Sequence, residues 1–238
     1  MQINSLPAEN LEITIGYTFR NKDILKEALT HSSFSNEMKS KGVKAPCNER
    51  LEFLGDSILS IIVSNYLFDA YMDIQEGDLT KIRAAVVCEK ALSKFAKQIS
   101  LGEYISLGHG EAMSNGRERP SILADAFEAL LAAIYLDAGE SFEPVRTFLL
   151  PHIKDELDYI QNNGVFMDYK TALQQIVQQA EGEKLEYVLV EATGPDHNKM
   201  FSVEARLNSN VIGRGSAHSK REAEQIAARE ALVLFGEK

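Results

Sequence analysis

Residues 48–57 read Asn-Glu-Arg-Leu-Glu-Phe-Leu-Gly-Asp-Ser. On a helix turning by roughly 100° per residue, Glu49, Glu52 and Asp56 share a stripe about 60° wide. Leu51, Leu54 and Ile58 take the opposite side. A second segment repeats the design: Asp125 and Glu128 are three apart and therefore neighbours, with Phe127, Leu130 and Ile134 facing away. Between them lies an acidic turn, Glu76-Gly77-Asp78. Like charges at these spacings destabilise a helix by about 0.2–0.5 kcal/mol per pair, and no Lys or Arg falls on either stripe. Two readings follow. One is a solvated acidic face, the ordinary fate of a charge run. The other is a divalent cation site. Oxygen-only donors suit Mg²⁺, Mn²⁺ or Ca²⁺, and no EF-hand loop is present. Carboxylates holding Mg²⁺ serve phosphoryl transfer and phosphodiester hydrolysis.

One apolar residue sits on the acidic side of its helix. Phe53 is either an aromatic at the edge of the core or a subunit contact beside the acids. His31 is either a base or a hydrogen-bonding residue near a helix end. It does not form a triad with Ser32 and Ser33, because triads are assembled in space rather than along the chain. Leu107-Gly108-His109-Gly110 lacks the Lys-Ser/Thr of a phosphate loop and reads as a turn.

The elements that must carry these residues change character along the chain. Up to residue 160 apolar residues recur at three and four, as in Leu51/Leu54/Ile58/Ile62, which predicts an all-α region. The polar tract Gln161-Asn162-Asn163-Gly164 opens a linker expected over 161–167. From 168 to 238 the order is α-β-β-β-α. A helix spans Tyr169–Ala180, strands cover Leu185–Glu191, Phe201–Leu207 and Val211–Gly215, and a last helix begins after Ser219. Both helices should cover one face of an antiparallel sheet, giving a small α+β domain.

Composition sets the limits. The 238 residues are 45% hydrophobic and 25% charged, as in a folded globular chain and unlike a disordered one. No stretch reads as a membrane span or secretory signal. Cys47 and Cys88 have no CxxC spacing, which excludes a disulfide framework and points to a reducing, cytoplasmic compartment. Net charge is −10, with 16 Lys and Arg against 24 Asp and Glu in residues 1–167, and 9 against 11 in residues 168–238. Binding to a polyanion must therefore come from local features. Two are visible in the tail. Thr171, Gln174, Gln175 and Gln178 share one helix stripe, and neutral amides suit 2′-hydroxyls in an RNA minor groove, although the same stripe reads equally as an uncharged solvated face. Lys220 and Arg221 open the last helix, where free backbone amides also favour phosphate.

The segment 48–57 resembles the signature of bacterial ribonuclease III. Leu29-Thr30-His31-Ser32-Ser33-Phe34, Glu76-Gly77-Asp78-Leu79 and Leu123-Ala124-Asp125-Ala126-Phe127-Glu128-Ala129 follow in that family's order, and the tail is similar to a double-stranded RNA-binding domain. The resemblance implies an all-α catalytic domain over 1–160 and a binding domain over 168–238. It implies a homodimer without membrane attachment that cuts double-stranded RNA with Mg²⁺, Mn²⁺ substituting. The products would carry 5′-phosphates and 3′-hydroxyls with two-nucleotide 3′ overhangs, and the substrates would include ribosomal RNA precursors and other structured transcripts. It assigns Glu52, Asp56, Asp125 and Glu128 to metal binding, with Glu49 and Glu76 as further acids of the catalytic valley. It places His197, beside Lys199, on a loop that enters a second minor groove. Two other readings stand beside it: a double-stranded RNA-binding protein that does not cleave, which loss of any of the six acids would favour, and a Mg²⁺ phosphohydrolase acting on small substrates. All six acids are present.

Overall fold

The computed structural model describes residues 8–72, 74–162, 169–178, 182–195 and 199–236. The chain divides into two compact units, Met1–Val165 and Phe166–Lys238.

The first unit is helical: α1 (Ala8–Ile15), α2 (Lys22–Ala28), α3 (Ser32–Ser40), α4 (Glu49–Ala70), α5 (Glu76–Val86), α6 (Glu89–Gln98), α7 (His109–Met113), α8 (Pro120–Asp137) and α9 (Phe142–Asn162). Its axis is α8. Pro120 opens that helix, where a missing N–H costs nothing, and residues from Ile122 to Ile134 are buried except at Asp125 and Glu128. The buried side is aromatic: the Phe127 ring lies 5.8 Å from Phe95 and 5.7 Å from Phe148. Helix α4 packs along α8 more extensively than any other helix does. By length and composition alone α4 would pass as a membrane span, contrary to the expectation from sequence. Six of its apolar residues, Leu51, Ile58, Leu59, Ile62, Val63 and Leu67, are buried in the core of the unit.

Two local expectations change. Glu76-Gly77-Asp78 is not a connecting turn but the first turn of α5, where acidic side chains complement the helix dipole. Leu107–Gly110 is not merely a turn, because α7 begins at His109 with Gly108 as its cap. Helix α9 runs to Asn162, into the expected linker, whose residues 163–167 lie outside the described residues.

The second unit has the predicted order: α10 (Tyr169–Gln178), β1 (Leu185–Thr193), β2 (Met200–Leu207), β3 (Asn210–Ala217) and α11 (Lys220–Val233). The sheet is antiparallel in the order β1-β2-β3, and the strands are longer than their apolar alternation indicates. Backbone pairing carries them past the patterned residues. Ala205 packs in a core with Leu173, Val177, Ala227, Ala228 and Ala231, and Val203 in a smaller cluster with Ala217 and Ala223. Helix α11 lies directly on β3: a Cβ on Gly213 or Gly215 would meet the carbonyl oxygen of Ala227 or Ala223 at 2.2 Å. Ser219 caps α11, its hydroxyl accepting from Glu222 N–H at 3.2 Å.

Candidate active site and RNA-binding surface

The carboxylates stand where α4 and α8 cross. Gly55 is buried against the backbone of Glu128, so close that an added Cβ would lie 2.0 Å from that carbonyl oxygen. This contact brings Glu52 and Asp56 of α4 to Asp125 and Glu128 of α8.

Electrostatics records the gathering. Burial, then the charges of Asp56, Glu52 and Asp125, pushes the Glu128 carboxyl up to about 8. Glu52 is raised by burial and then by Asp125, Glu49 and Asp56. Asp125 is raised by burial and by Glu89, with His31 acting against the shift. Burial and neighbouring acids oppose the ionisation of these carboxyls more than His31 offsets it, so the group favours a positive partner. A dication with hard oxygen ligands supplies that partner, so the donor chemistry and the charge fit Mg²⁺ or Mn²⁺. The acids come within electrostatic range without closing on one point: among the described residues no three His, Cys, Asp or Glu side chains form a ready coordinating group.

The remaining sequence candidates divide. Glu49, exposed on the first turn of α4, joins the group through Glu52. Glu76 is exposed on α5, accepts a hydrogen bond from Thr80 Oγ1 at 3.1 Å, and contributes to none of the three raised carboxyls. His31 caps α3: its Nδ1 accepts from Ser33 N–H at 3.3 Å and lies 2.8 Å from Ser33 Oγ. That arrangement favours the structural reading. Ser33 Oγ accepts in turn from Gly108 N–H at 3.0 Å, tying α3 to the start of α7. Phe53 is 78% exposed and so is not a core residue of the single chain.

Sequence reasoning missed Glu89 and Gly55. Glu89 opens a different helix, α6, and no spacing along the chain links it to Asp125. Gly55 was visible as the small residue between Glu52 and Asp56, yet only the crossing of two helices gives it meaning.

In the second unit Thr171, Gln174 and Gln178 are exposed on α10, as are Lys220 and Arg221 at the start of α11. The two helices are pinned together by Lys170, whose Nζ lies 2.6 Å from Glu224 Oε2 and 4.7 Å from the Tyr187 ring centre. Lys199 is half-buried before β2, and His197 lies outside the described residues.

A helical unit carrying paired carboxylates, followed by an α-β-β-β-α unit with a polar helix face, defines a nuclease fold joined to a double-stranded RNA-binding fold. The comparisons agree on both parts. Residues 21–156 match the family described as Ribonuclease-III-like, and residues 169–233 match the double-stranded RNA binding motif. Ribonuclease 3 of Caldanaerobacter subterraneus subsp. tengcongensis is 49% identical over 226 residues, covering 95% of this chain and 97% of the relative. Ribonuclease 3 of Clostridium perfringens is 46% identical over 235 residues, covering 99% and 95%. The solved nuclease domain of ribonuclease III from Campylobacter jejuni superposes with a TM-score of 0.57 at 44% identity, covering 63% of this chain and 97% of that domain. The chain belongs to the ribonuclease III family.

Proposed function

We propose that the protein is a Mg²⁺-dependent endoribonuclease that hydrolyses double-stranded RNA, leaving 5′-phosphate and 3′-hydroxyl ends with two-nucleotide 3′ overhangs. The observation that carries this reading is Glu128. A carboxyl raised to about 8 by burial and by Asp56, Glu52 and Asp125 is a group in want of a cation. Glu52, Asp56, Asp125 and Glu128 hold the metal, and Mn²⁺ can replace Mg²⁺. The bound ion supplies a Lewis acid at the scissile phosphate and an activated water at neutral pH. The chain's own residues do the rest. Glu49 extends the negative wall on the α4 side, and the hydrophobic underside of α8, led by Phe127, keeps Asp125 and Glu128 from drifting.

Duplex RNA is held by residues 168–238. Thr171, Gln174 and Gln178 face 2′-hydroxyls in a minor groove, Lys220 and Arg221 take phosphates, and the loop holding His197 and Lys199 reaches a second minor groove. Two copies assemble through α4. Phe53, Ile61 and Phe68 follow its outer side at 78%, 54% and 73% exposure, and Met72 just past its end is 88% exposed, too much apolar surface for one helix to leave in water. The Campylobacter jejuni nuclease domain is itself described as having a region involved in dimer formation. Glu76, at the start of α5, belongs to the catalytic valley as a further acid. The free thiols Cys47 and Cys88 suit a reducing cytoplasm, and ribosomal RNA precursors and other structured transcripts are the substrates.

The test is incubation of a labelled RNA duplex with the protein in Mg²⁺ and then in EDTA, with the product ends mapped. Cleavage in EDTA, or products lacking 5′-phosphates, would refute the reading. Duplex binding without cleavage in Mg²⁺ would favour a non-cleaving RNA-binding protein.

A further inference from the structure

We infer that Gly55 is a positioning residue that tunes the ion selectivity of the carboxylate site toward Mg²⁺ by setting the distance between α4 and α8. The inference rests on the reading of Glu52, Asp56, Asp125 and Glu128 as metal ligands.

A Cβ on Gly55 would lie 2.0 Å from the Glu128 carbonyl oxygen and 2.4 Å from its carbonyl carbon, far inside the 3.0 Å that real Cβ contacts respect. Both atoms are backbone, so no side chain can swing aside to make room. An added methyl must separate the two helices by about 1 Å, or tilt one against the other, before ordinary van der Waals distance returns. The contact falls within the acid group itself. Glu52 lies one turn before Gly55 and Asp56 immediately after it. On the other helix, Glu128 is the residue touched and Asp125 lies one turn before it. Separation at this point is passed directly to the gap between the α4 carboxylates and the α8 carboxylates.

The two hard dications respond differently to that gap. Mg²⁺ demands near-octahedral oxygens at about 2.0–2.1 Å, whereas Ca²⁺ accepts six to eight oxygens at about 2.3–2.6 Å in irregular geometry. A widened gap therefore penalises Mg²⁺ far more than Ca²⁺. General loosening of the fold would weaken both alike.

The experiment is calorimetric titration of the metal-free full-length protein with MgCl₂ and with CaCl₂, for wild type, Gly55→Ala and Gly102→Ala. Gly102 is the matched control. It lies in the short 3-10 helix Leu101–Tyr104, and its added Cβ would meet the Arg117 carbonyl oxygen at 2.3 Å, a comparable backbone clash that does not fall between the acids. In Gly55→Ala, Mg²⁺ affinity should fall about tenfold or more and Ca²⁺ affinity less than about threefold. Gly102→Ala should leave the ratio of the two affinities as in wild type. Equal losses for both ions in Gly55→Ala, wild-type Mg²⁺ affinity in that variant, or the same selectivity change in Gly102→Ala would each overturn the inference. If Gly55→Ala is too unstable for calorimetry, thermal melts of that variant in saturating MgCl₂ and CaCl₂ read the same ratio: Ca²⁺ should raise its melting temperature and Mg²⁺ much less, and equal rises would overturn the inference. Wild type that binds neither ion would instead refute the metal-site reading beneath it.

Discussion

Phe127 and Glu128 are neighbours in sequence that α8 sets about 100° apart, one turned to the core and the other away from it. The Phe127 ring is fully buried 5.8 Å from Phe95, while burial and three nearby acids push the Glu128 carboxyl up to about 8. One helix thus anchors the core with one face and carries half of the acid group with the other. The packing of Phe127 holds the charged face in place, and the arrangement is stable because α8 is clamped on its apolar side by α6 and α9.

The outer side of α4 should hold the dimer together. Phe53→Asp places a charge on an apolar surface, and burying one such ring contributes about 1.5–3 kcal/mol. Sedimentation equilibrium should show a dimeric wild type and a variant dissociating at ten- to hundredfold higher concentration, on the order expected for that energy. A monomeric wild type would refute the dimer. An unperturbed variant would remove Phe53 from its interface.

Binding and cutting should separate with the two units. Removing residues 168–238 should weaken duplex binding strongly while leaving slow cleavage, most visible at low salt. Lys220→Ala and Arg221→Ala should each lower the salt slope of binding by about one counterion. Gln174→Ala should reduce the preference for RNA over DNA duplexes, since its partner is a 2′-hydroxyl. Filter binding across salt concentrations, on matched RNA and DNA duplexes, reads all of these. Equal weakening on both duplexes by all the variants would contradict the division between groove and phosphate.

Asp137 should make the first unit acid-sensitive. Burial opposes its ionisation. The N–H groups of Arg20 at 3.0 Å and Asn21 at 2.8 Å, with the Tyr17 hydroxyl at 2.8 Å, outweigh that and hold its carboxyl below the usual range. A depressed carboxylate contributes stability above its unfolded pKa and loses it as pH falls through the folded one. Burial and the Asp137 bond push Tyr17 up to about 12, so its contribution is full below its unfolded value of 10.0 and is lost as pH rises through 12. Thermal melts of wild type and Asp137→Asn should differ by several degrees at pH 7 and converge below pH 4, on the scale of about 1 kcal/mol. A gap that persists at low pH would show that charge is not the cause.

How much of this was legible in the sequence follows from the reach of each signal. The acid stripes and the apolar stripes of α4 and α8 are periodic along one helix, so spacing alone places them. The α-β-β-β-α order follows from alternation in Phe201–Leu207 and the cap at Ser219. What spacing cannot supply is a relation between helices: the contact of Gly55 with Glu128, the charge of Glu89 felt at Asp125, and the tie from His31 through Ser33 to Gly108. Glu76-Gly77-Asp78 was misread because Gly77 signals a break locally, whereas the helix beginning there gains from acids in its first turn. At the crossing of α4 and α8 the repulsion among the acids lies on one side, and apolar burial on the other side offsets it.

The most direct test of the metal-carboxylate account is Glu128→Gln, assayed for cleavage and for duplex binding in parallel. The substitution keeps the volume and removes the charge, so the fold and the RNA-binding unit should be untouched. Cleavage in Mg²⁺ should fall by at least about a hundredfold, with partial recovery in high Mn²⁺ because a weakened site is refilled by the tighter-binding ion, while duplex affinity in the absence of metal stays at the wild-type value. Cleavage by the variant at the wild-type rate would contradict the account.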